Sequence, residues 1–256
     1  MEITVLGAHN TESKETRQVT LLVDGVLALD AGGLTGALSL EEQRRLKAIL
    51  LTHGHYDHIR DVPALGMNLF LQESSIPVYG TEAVREALEK YLLNSELYPP
   101  FLKRPEGKPA VSFHALAPLT EVTVAGYKVT AVPVSHSVTA TGFQVADADG
   151  KVIFYTGDTG AGLEECWRRV DPQLLIVELT MPKRWEEVAR RVGHMTPGLL
   201  EQELTLFRKL KGYLPRVVTV HMAPTEEEEI AAEVAVVKAS LGADIVLARE
   251  GMRLRV

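Results

Sequence analysis

The sequence predicts an α/β protein arranged as a four-layer αββα sandwich, and three observations carry that expectation. Short apolar runs with the length of buried strands recur from Ile3–Ala8 to Met252–Val256. Segments with apolar residues at helical spacing fall between them. The second half repeats the element order of the first, so two β-rich halves, each flanked by helices, are expected to stack as layers. Several strand patterns run into a His or an Asp, which places a site at one edge of the sheets.

Taken in order, Ile3–Ala8 reads as a strand and Val19–Asp30 as a hairpin turning at Asp24-Gly25. His9, in the polar loop Ala8-His9-Asn10-Thr11, is expected to be solvated. Glu41–Leu46 is helical in composition, and Ala48–Thr52 has the length of a buried strand. Beyond it, Ile59, Val62 and Leu65 suggest a short amphipathic helix ending near Pro63 to Gly66. Pro77–Gly80 reads as a strand, and Thr81 is the expected N-cap of a helix whose apolar face is Val84, Ala87, Leu88, Tyr91 and Leu92. The stretch Tyr98-Pro99-Pro100-Phe101 suits either a rigid flap beside a pocket or a surface connection packed on the core, and His114 is expected to be structural. The second half supplies strands within Val122–Val134, Thr141–Ala146 and Val152–Tyr155. A helix follows at Leu163–Val170, carrying Cys166 as a buried hydrophobe. Leu174–Val177 runs into Glu178. A long helix after Pro197, a strand at Val217–Val220 and a Glu-rich helix with Thr225 as its expected N-cap follow, before the last strands at Asp244–Ala248 and Met252–Val256.

The chemistry concentrates in His53-Gly54-His55-Tyr56-Asp57-His58, where three imidazoles and one carboxylate fall within six residues on a strand-to-helix loop. His53 and His55, two apart, project to one side of an extended segment, while Asp57 and His58 leave the turn. The motif thus offers one pair of ligands to each of two neighbouring ions. Imidazole with carboxylate suits zinc, manganese or iron.

This motif resembles that of the metallo-β-lactamase-fold hydrolases, whose further ligands come from three later loops. The matching residues stand in the same order: His136 in Pro133-Val134-Ser135-His136-Ser137, Asp158 in Thr156-Gly157-Asp158-Thr159-Gly160, and His221 in Val220-His221-Met222-Ala223-Pro224. The resemblance implies the metallo-β-lactamase fold over a single domain, residues 1–256, and completes a sandwich that periodicity alone does not specify. It implies that His53, His55 and His136 hold one metal, that Asp57, His58 and His221 hold the other, and that Asp158 bridges the two. Zinc is the expected metal of the pair. It also implies that Asp30 fixes the metal-binding loop and that Asp57 helps orient an attacking water. His194, in Gly193-His194-Met195-Thr196-Pro197, is the expected proton donor to a leaving oxygen or hydrogen-bond donor to phosphate, with Glu178 to orient it.

Within the superfamily the chain is similar to the class II cyclic-nucleotide phosphodiesterases. The likeness lies in Gly157-Asp158-Thr159-Gly160, Gly193–Pro197, His221–Pro224 and the aromatic-proline element Tyr98–Phe101. It departs from their usual leucines at Tyr56, Met195 and Met222. The implied reaction is two-metal hydrolysis of a small phosphodiester by a cytoplasmic enzyme, commonly a homodimer in that family. The transfer-RNA 3′-processing endonucleases share all the ligands but carry a basic arm between the third His and the bridging Asp. Here they stand only 22 positions apart, enough for a hairpin and no arm. Hydrolysis of the thioesterase or lactamase type competes with these readings, as does a non-catalytic metal-binding module.

Composition narrows the partners. The apolar fraction is 46% and the charged fraction 24%, ordinary for a globular protein with a substantial core. A net charge of −7 disfavours an extended nucleic-acid partner, although bound cations reverse the local field and leave a phosphate substrate open. The single cysteine excludes an internal disulfide, and no apolar run approaches the roughly 18 residues of a membrane span. The first residues start in a strand pattern without the regions of a signal peptide, so the cytoplasm is expected.

Overall fold

The apolar runs become fourteen strands: β1 (Glu2–Gly7), β2 (Thr20–Val23), β3 (Leu27–Leu29), β4 (Ala48–Leu50), β5 (Ile76–Gly80), β6 (Val111–Ala115), β7 (Glu121–Val124), β8 (Tyr127–Pro133), β9 (Thr141–Ala146), β10 (Val152–Tyr155), β11 (Leu174–Glu178), β12 (Arg216–Val220), β13 (Ile245–Leu247) and β14 (Arg253–Arg255). The structure, a computed structural model, describes residues 1–256. The strands form two seven-stranded sheets, in the orders β14-β1-β2-β3-β4-β5-β6 and β13-β12-β11-β10-β9-β8-β7.

Both sheets follow one plan. Strands β14-β1-β2-β3 and β7-β8-β9-β10 pair antiparallel. Beyond β3 and beyond β10 the pairing becomes parallel. A parallel pair requires a crossover, and crossovers cover the outer face. In the first sheet these are α1 (Leu34–Ala37), α2 (Leu40–Arg45), α3 (Tyr56–Ile59), α4 (Val62–Leu71) and α5 (Glu82–Ala87), the last continued by a π-helical turn at Leu88–Leu92. In the second sheet they are α6 (Glu164–Arg169), α7 (Glu186–Val192), α8 (Pro197–Lys211) and α9 (Glu227–Leu241).

The layers follow from strand alternation. Leu21, Leu29 and Leu50 point between the sheets and meet Val129, Phe143, Tyr155, Ile176 and Val218. Ile49 and Val78 point the other way, under Leu65 and Val84 of the first helical layer. Phe154, Leu175 and Val217 lie under Trp167, Leu199, Phe207 and Ile230 of the second. The expected four-layer αββα sandwich is the observed architecture, and the fold is the metallo-β-lactamase fold.

Local expectations fail where proline and caps are concerned. Pro63 begins α4 rather than ending a helix, because the first helical turn has no amide partner to lose. Thr81 stands at the N-cap of α5, yet its hydroxyl makes no cap hydrogen bond and is buried without a partner. Thr225 lies inside the 3-10 turn Pro224–Glu226, so Glu226 takes the N-cap position of α9. Phe101 is buried in the first outer core beside Phe70, with half-buried Tyr98 against it, so this stretch is a connection packed on the core.

In the second outer layer the buried carboxylate of Glu203 on α8 accepts from Gly162 N at 2.7 Å, Leu163 N at 3.4 Å and Trp167 Nε1 at 2.7 Å. It ties α8 to the loop that follows β10. Glu203→Ala leaves the buried Leu163 N and Trp167 Nε1 unpaired and is expected to cost about 1–3 kcal/mol of stability per unmet group. A urea unfolding midpoint unchanged from the parent protein would overturn that account.

Candidate metal centre

The site forms where strands of both sheets end at the same edge. His53 follows β4, His136 follows β8, Asp158 follows β10 and His221 follows β12. Extended backbone after β4 carries His53 and His55, and α3 begins directly behind them and presents Asp57 and His58. His221 takes a left-handed conformation, φ 66°, and Asp30 after β3 another, φ 58°. Such angles at bulky residues persist only where the surroundings hold them.

The side chains fall into two groups that share one carboxylate. His53, His55, His136 and Asp158 present ligand-type atoms within 4.8 Å of one another, and so do Asp57, His58, Asp158 and His221. Asp158 Oδ2 lies 3.7 Å from His53 Nε2, 3.9 Å from His136 Nε2 and 3.4 Å from His221 Nε2. Its Oδ1 lies 3.1 Å from His58 Nε2. Asp57 Oδ2 stands 3.1 Å from His221 Nε2 and 3.4 Å from His58 Nε2. The structure therefore brings together all seven residues picked from the sequence as ligands.

The other ring nitrogens are anchored outward. Asp30 accepts from His58 Nδ1 at 2.7 Å, from the Tyr155 hydroxyl at 2.7 Å and from Thr52 N at 2.8 Å. Thr52 Oγ1 spends its one proton on Asp30, so it accepts from His53 Nδ1 at 3.0 Å. Thr180 Oγ1 donates to Glu178 Oε2 at 2.6 Å and accepts from His221 Nδ1 at 2.8 Å by the same logic. His136 Nδ1 donates to the Gly193 carbonyl at 2.8 Å. Four rings are thereby fixed with Nε2 toward Asp158. His55 is turned the other way, its Nδ1 lying 3.2 Å from His136 Nε2.

Donor chemistry and burial fit divalent cations. His53 Nε2, His58 Nε2 and Asp158 Oδ1 are fully buried and have no hydrogen-bond partner. Three such orphans in one place, each costly to leave unpaired, are the kind of vacancy a cation can satisfy. Imidazoles and carboxylates at this density are transition-metal ligands by type.

The sequence profile described as a beta-lactamase superfamily domain matches residues 20–222. This chain belongs to the β-lactamase superfamily. It is similar to ribonuclease Z of Pyrococcus abyssi, 30% identical over 156 residues, which are 58% of this chain and 48% of that protein. It is also similar to a metal-dependent hydrolase of Ruegeria, 30% identical over 184 residues, 65% of this chain and 67% of that one. The chain thus spans about half the length of the ribonuclease Z it matches. Among solved structures its fold is like that of unliganded yeast PDE1, with a TM-score of 0.84, 18% identity and 100% and 99% of the two chains covered. It is also like the short form of human tRNase Z, with a TM-score of 0.72, 21% identity and the same coverage. The chain is a superfamily member with the fold of a metal-dependent hydrolase and a His/Asp cluster able to bind metal.

Charge in this superfamily site is strongly partitioned. Burial favours a neutral Asp158, yet His221, His58 and His53 around it hold its carboxyl well below the usual range. Asp57 is likewise held low against its burial by His221 and His58. Burial and the neighbouring His58 push His53 well down, whereas Asp158 and Asp30 overcome burial and raise His58. His194 stands at the rim, its ring 5.3 Å from His221 and 5.1 Å from His136. Its Nδ1 lies 2.7 Å from Glu178 Oε1, and that carboxylate, against the effect of burial, raises it to about 9.

Sequence reading misses Thr52, Thr180 and Tyr155, although a Thr beside a ligand at a strand end is an available signal for the first. His9 is a correction. It is 3% exposed rather than solvated, with Nδ1 2.8 Å from Glu250 and its main chain bridged to Gln18 and Met222. His114 stays outside the site, exposed on the edge strand β6 and stacked on Tyr79. Tyr155→Phe removes one donor from buried Asp30 and is expected to cost about 1–3 kcal/mol in thermal or urea unfolding, with no change in secondary structure. Unchanged stability would show that the Tyr155 hydroxyl contributes nothing to the network.

Proposed function

We propose that this chain hydrolyses a small phosphodiester, as the cyclic-nucleotide phosphodiesterases do, with two divalent cations as cofactors. The observation that best supports this reading is the combination of two ligand groups joined at Asp158 with a carboxylate-held imidazole, His194, at their rim. His53, His55 and His136 would hold one cation, Asp57, His58 and His221 the other, and Asp158 both. Zinc is the expected metal, with manganese and iron compatible with the same donors. The cations would supply charge that polarises a phosphoryl group and activates water at neutral pH.

The chain's own residues supply the rest. Asp57, through the oxygen not facing His58 and His221, would orient the attacking water. His194, anchored through Nδ1 by Glu178, points Nε2 away from that carboxylate and delivers a proton to the leaving oxygen or a hydrogen bond to phosphate. Burial of the Asp30 and Glu178 networks keeps water away from the anchored ring nitrogens.

A second reading, 3′-end processing of transfer RNA, is favoured by the 30% identity to a ribonuclease Z. Against it, the 21 residues between His136 and Asp158 are taken up by the hairpin β9–β10 and its flanking turns, which leaves no room for a basic arm, and the net charge is −7. A panel on metal-analysed protein separates these: cyclic AMP, cyclic GMP, an aryl phosphodiester, precursor transfer RNA, a thioester and a β-lactam. Turnover of the cyclic nucleotides or aryl diester well above the others is expected. Faster cleavage of precursor transfer RNA would replace the first reading with the second.

Elemental analysis of protein purified without chelator is expected to give close to two transition-metal ions per chain, and Asp158→Ala to lose both metal and activity while staying folded. Near-parental turnover with both ions present in that variant would remove Asp158 as the bridge.

His194→Ala is expected to keep its metal and to lose roughly 10²–10⁴-fold in turnover. The loss should be larger on a cyclic nucleotide, with its poor alkoxide leaving group, than on an aryl diester. Equal losses on both would assign His194 to phosphate positioning, and no loss would make it structural.

A further inference from the structure

We propose that Glu250 and His9 form a clamp on the backbone of His221, and that this clamp selectively sets cation affinity in the group Asp57, His58, Asp158 and His221. The proposal rests on the reading that the two groups hold cations.

His221 is the one metal-site histidine with a left-handed backbone, a conformation that needs external support at a non-glycine residue. The support comes from residues 8–10. His221 N donates to the Ala8 carbonyl at 2.6 Å, and Asn10 N donates to the Met222 carbonyl at 3.2 Å. His9 lies between them and pairs with Met222 as an isolated parallel bridge. The segment grips His221-Met222 from both ends.

That segment follows β1 as a loop, and one carboxylate oxygen organises it. Glu250 Oε1 accepts from Ala8 N at 3.2 Å, His9 Nδ1 at 2.8 Å and Arg17 N at 2.8 Å. Three donors on one oxygen, two of them backbone amides, fix where Ala8 presents its carbonyl. The far side of the His9 ring reaches Glu227 Oε2 at 3.5 Å, at the start of α9. Helix α9 begins six residues after His221, so the chain that follows this residue is tied to His9 twice, at Met222 and at Glu227. The hydrogen bonds to Glu250 hold its carboxyl at about 2 despite burial, which keeps the acceptor charged.

The clamp is one-sided. His53 is anchored through Thr52 to Asp30, and His136 through the Gly193 carbonyl. None of those contacts passes through residues 8–10 or Glu250. A purely structural role would weaken both groups together, whereas a clamp on His221 weakens one.

Zinc titration against a competing chelator, on metal-free protein, reads the two affinities separately. The parent protein is expected to take up two ions. Glu250→Gln, which keeps the shape and removes the charge, should weaken one ion by roughly 10–100-fold, the usual loss when an outer partner of a ligand is removed, and leave the other unchanged. Hydrogen exchange of the metal-free variant should show lost amide protection at residues 217–223, with residues 48–58 unaffected. His9→Phe, which keeps the ring volume and deletes the hydrogen bond, should give the same pattern and replaces Glu250→Gln if that variant does not fold. His9→Asn, retaining a donor, should recover part of the affinity. Two unchanged affinities, or an equal fall in both with protection lost across the chain, would overturn the clamp. A parent protein that takes up fewer than two ions would overturn the two-cation reading itself.

Discussion

Two buried carboxylates, Asp30 and Glu178, are the constraint on which the rest of the site depends. Each is 0% exposed, each stands at the end of a strand, and they belong to different sheets. Each takes the Nδ1 of one histidine directly, His58 or His194, and of another through a threonine, Thr52 toward His53 and Thr180 toward His221. An imidazole has two nitrogens, and fixing one decides what the other does. Anchoring four rings in this way selects tautomer and orientation before any cation arrives, so little freedom remains to be lost on binding.

The sheet topology explains why the two hubs stand where they do. In each sheet pairing changes from antiparallel to parallel at one place, between β3 and β4 and between β10 and β11 in mirrored order. Asp30 after β3 meets Thr52 after β4 across the first boundary. Glu178 at the end of β11 accepts from Thr159 N, after β10, across the second at 2.9 Å. Strands that run parallel bring their carboxyl ends to the same edge, and ligands gather there in open α/β sheets. The inner core of Leu29, Leu50, Tyr155 and Ile176 holds the two boundaries face to face. Tyr155 physically crosses the layers, starting in the second sheet and donating to Asp30 of the first.

The legibility of this arrangement in the sequence follows the physics of each part. Strand-length apolar runs ending in polar residues are readable because burial on both faces demands continuous hydrophobicity. The ligand residues are readable because three histidines and an aspartate within six positions have no packing rationale. Their partners are harder. Tyr155 ends a strand and Thr52 follows one, both are ordinary residues there, and their role exists only once separate strands meet. His9 looks solvated in the sequence because its partner Glu250 lies 241 residues away, a distance no local pattern reports. Local cap rules hold only in part: Thr81 takes the N-cap position without its side-chain hydrogen bond, and the 3-10 turn Pro224–Glu226 moves the cap of α9 past Thr225.

Charge links the site to the kind of substrate it suits. Asp30, Asp57, Asp158 and Glu178 place four carboxylates in one edge of the sandwich, in a chain already at −7. Asp158 and Asp30 push His58 upward, while burial and the neighbouring His58 push His53 downward, so protons settle unevenly on the cluster. In the proposed reading two divalent cations carry four positive charges against those four carboxylates, and His194 faces the cleft from the rim as a further donor. In that reading the edge ceases to repel an anion and attracts a phosphodiester. In the proposed reading a long polyanion such as RNA must also lie along a chain of net charge −7, whereas a small phosphodiester meets the patch alone. In that reading the charge that calls for cations at this edge is the same charge that suits a small substrate better than an extended one.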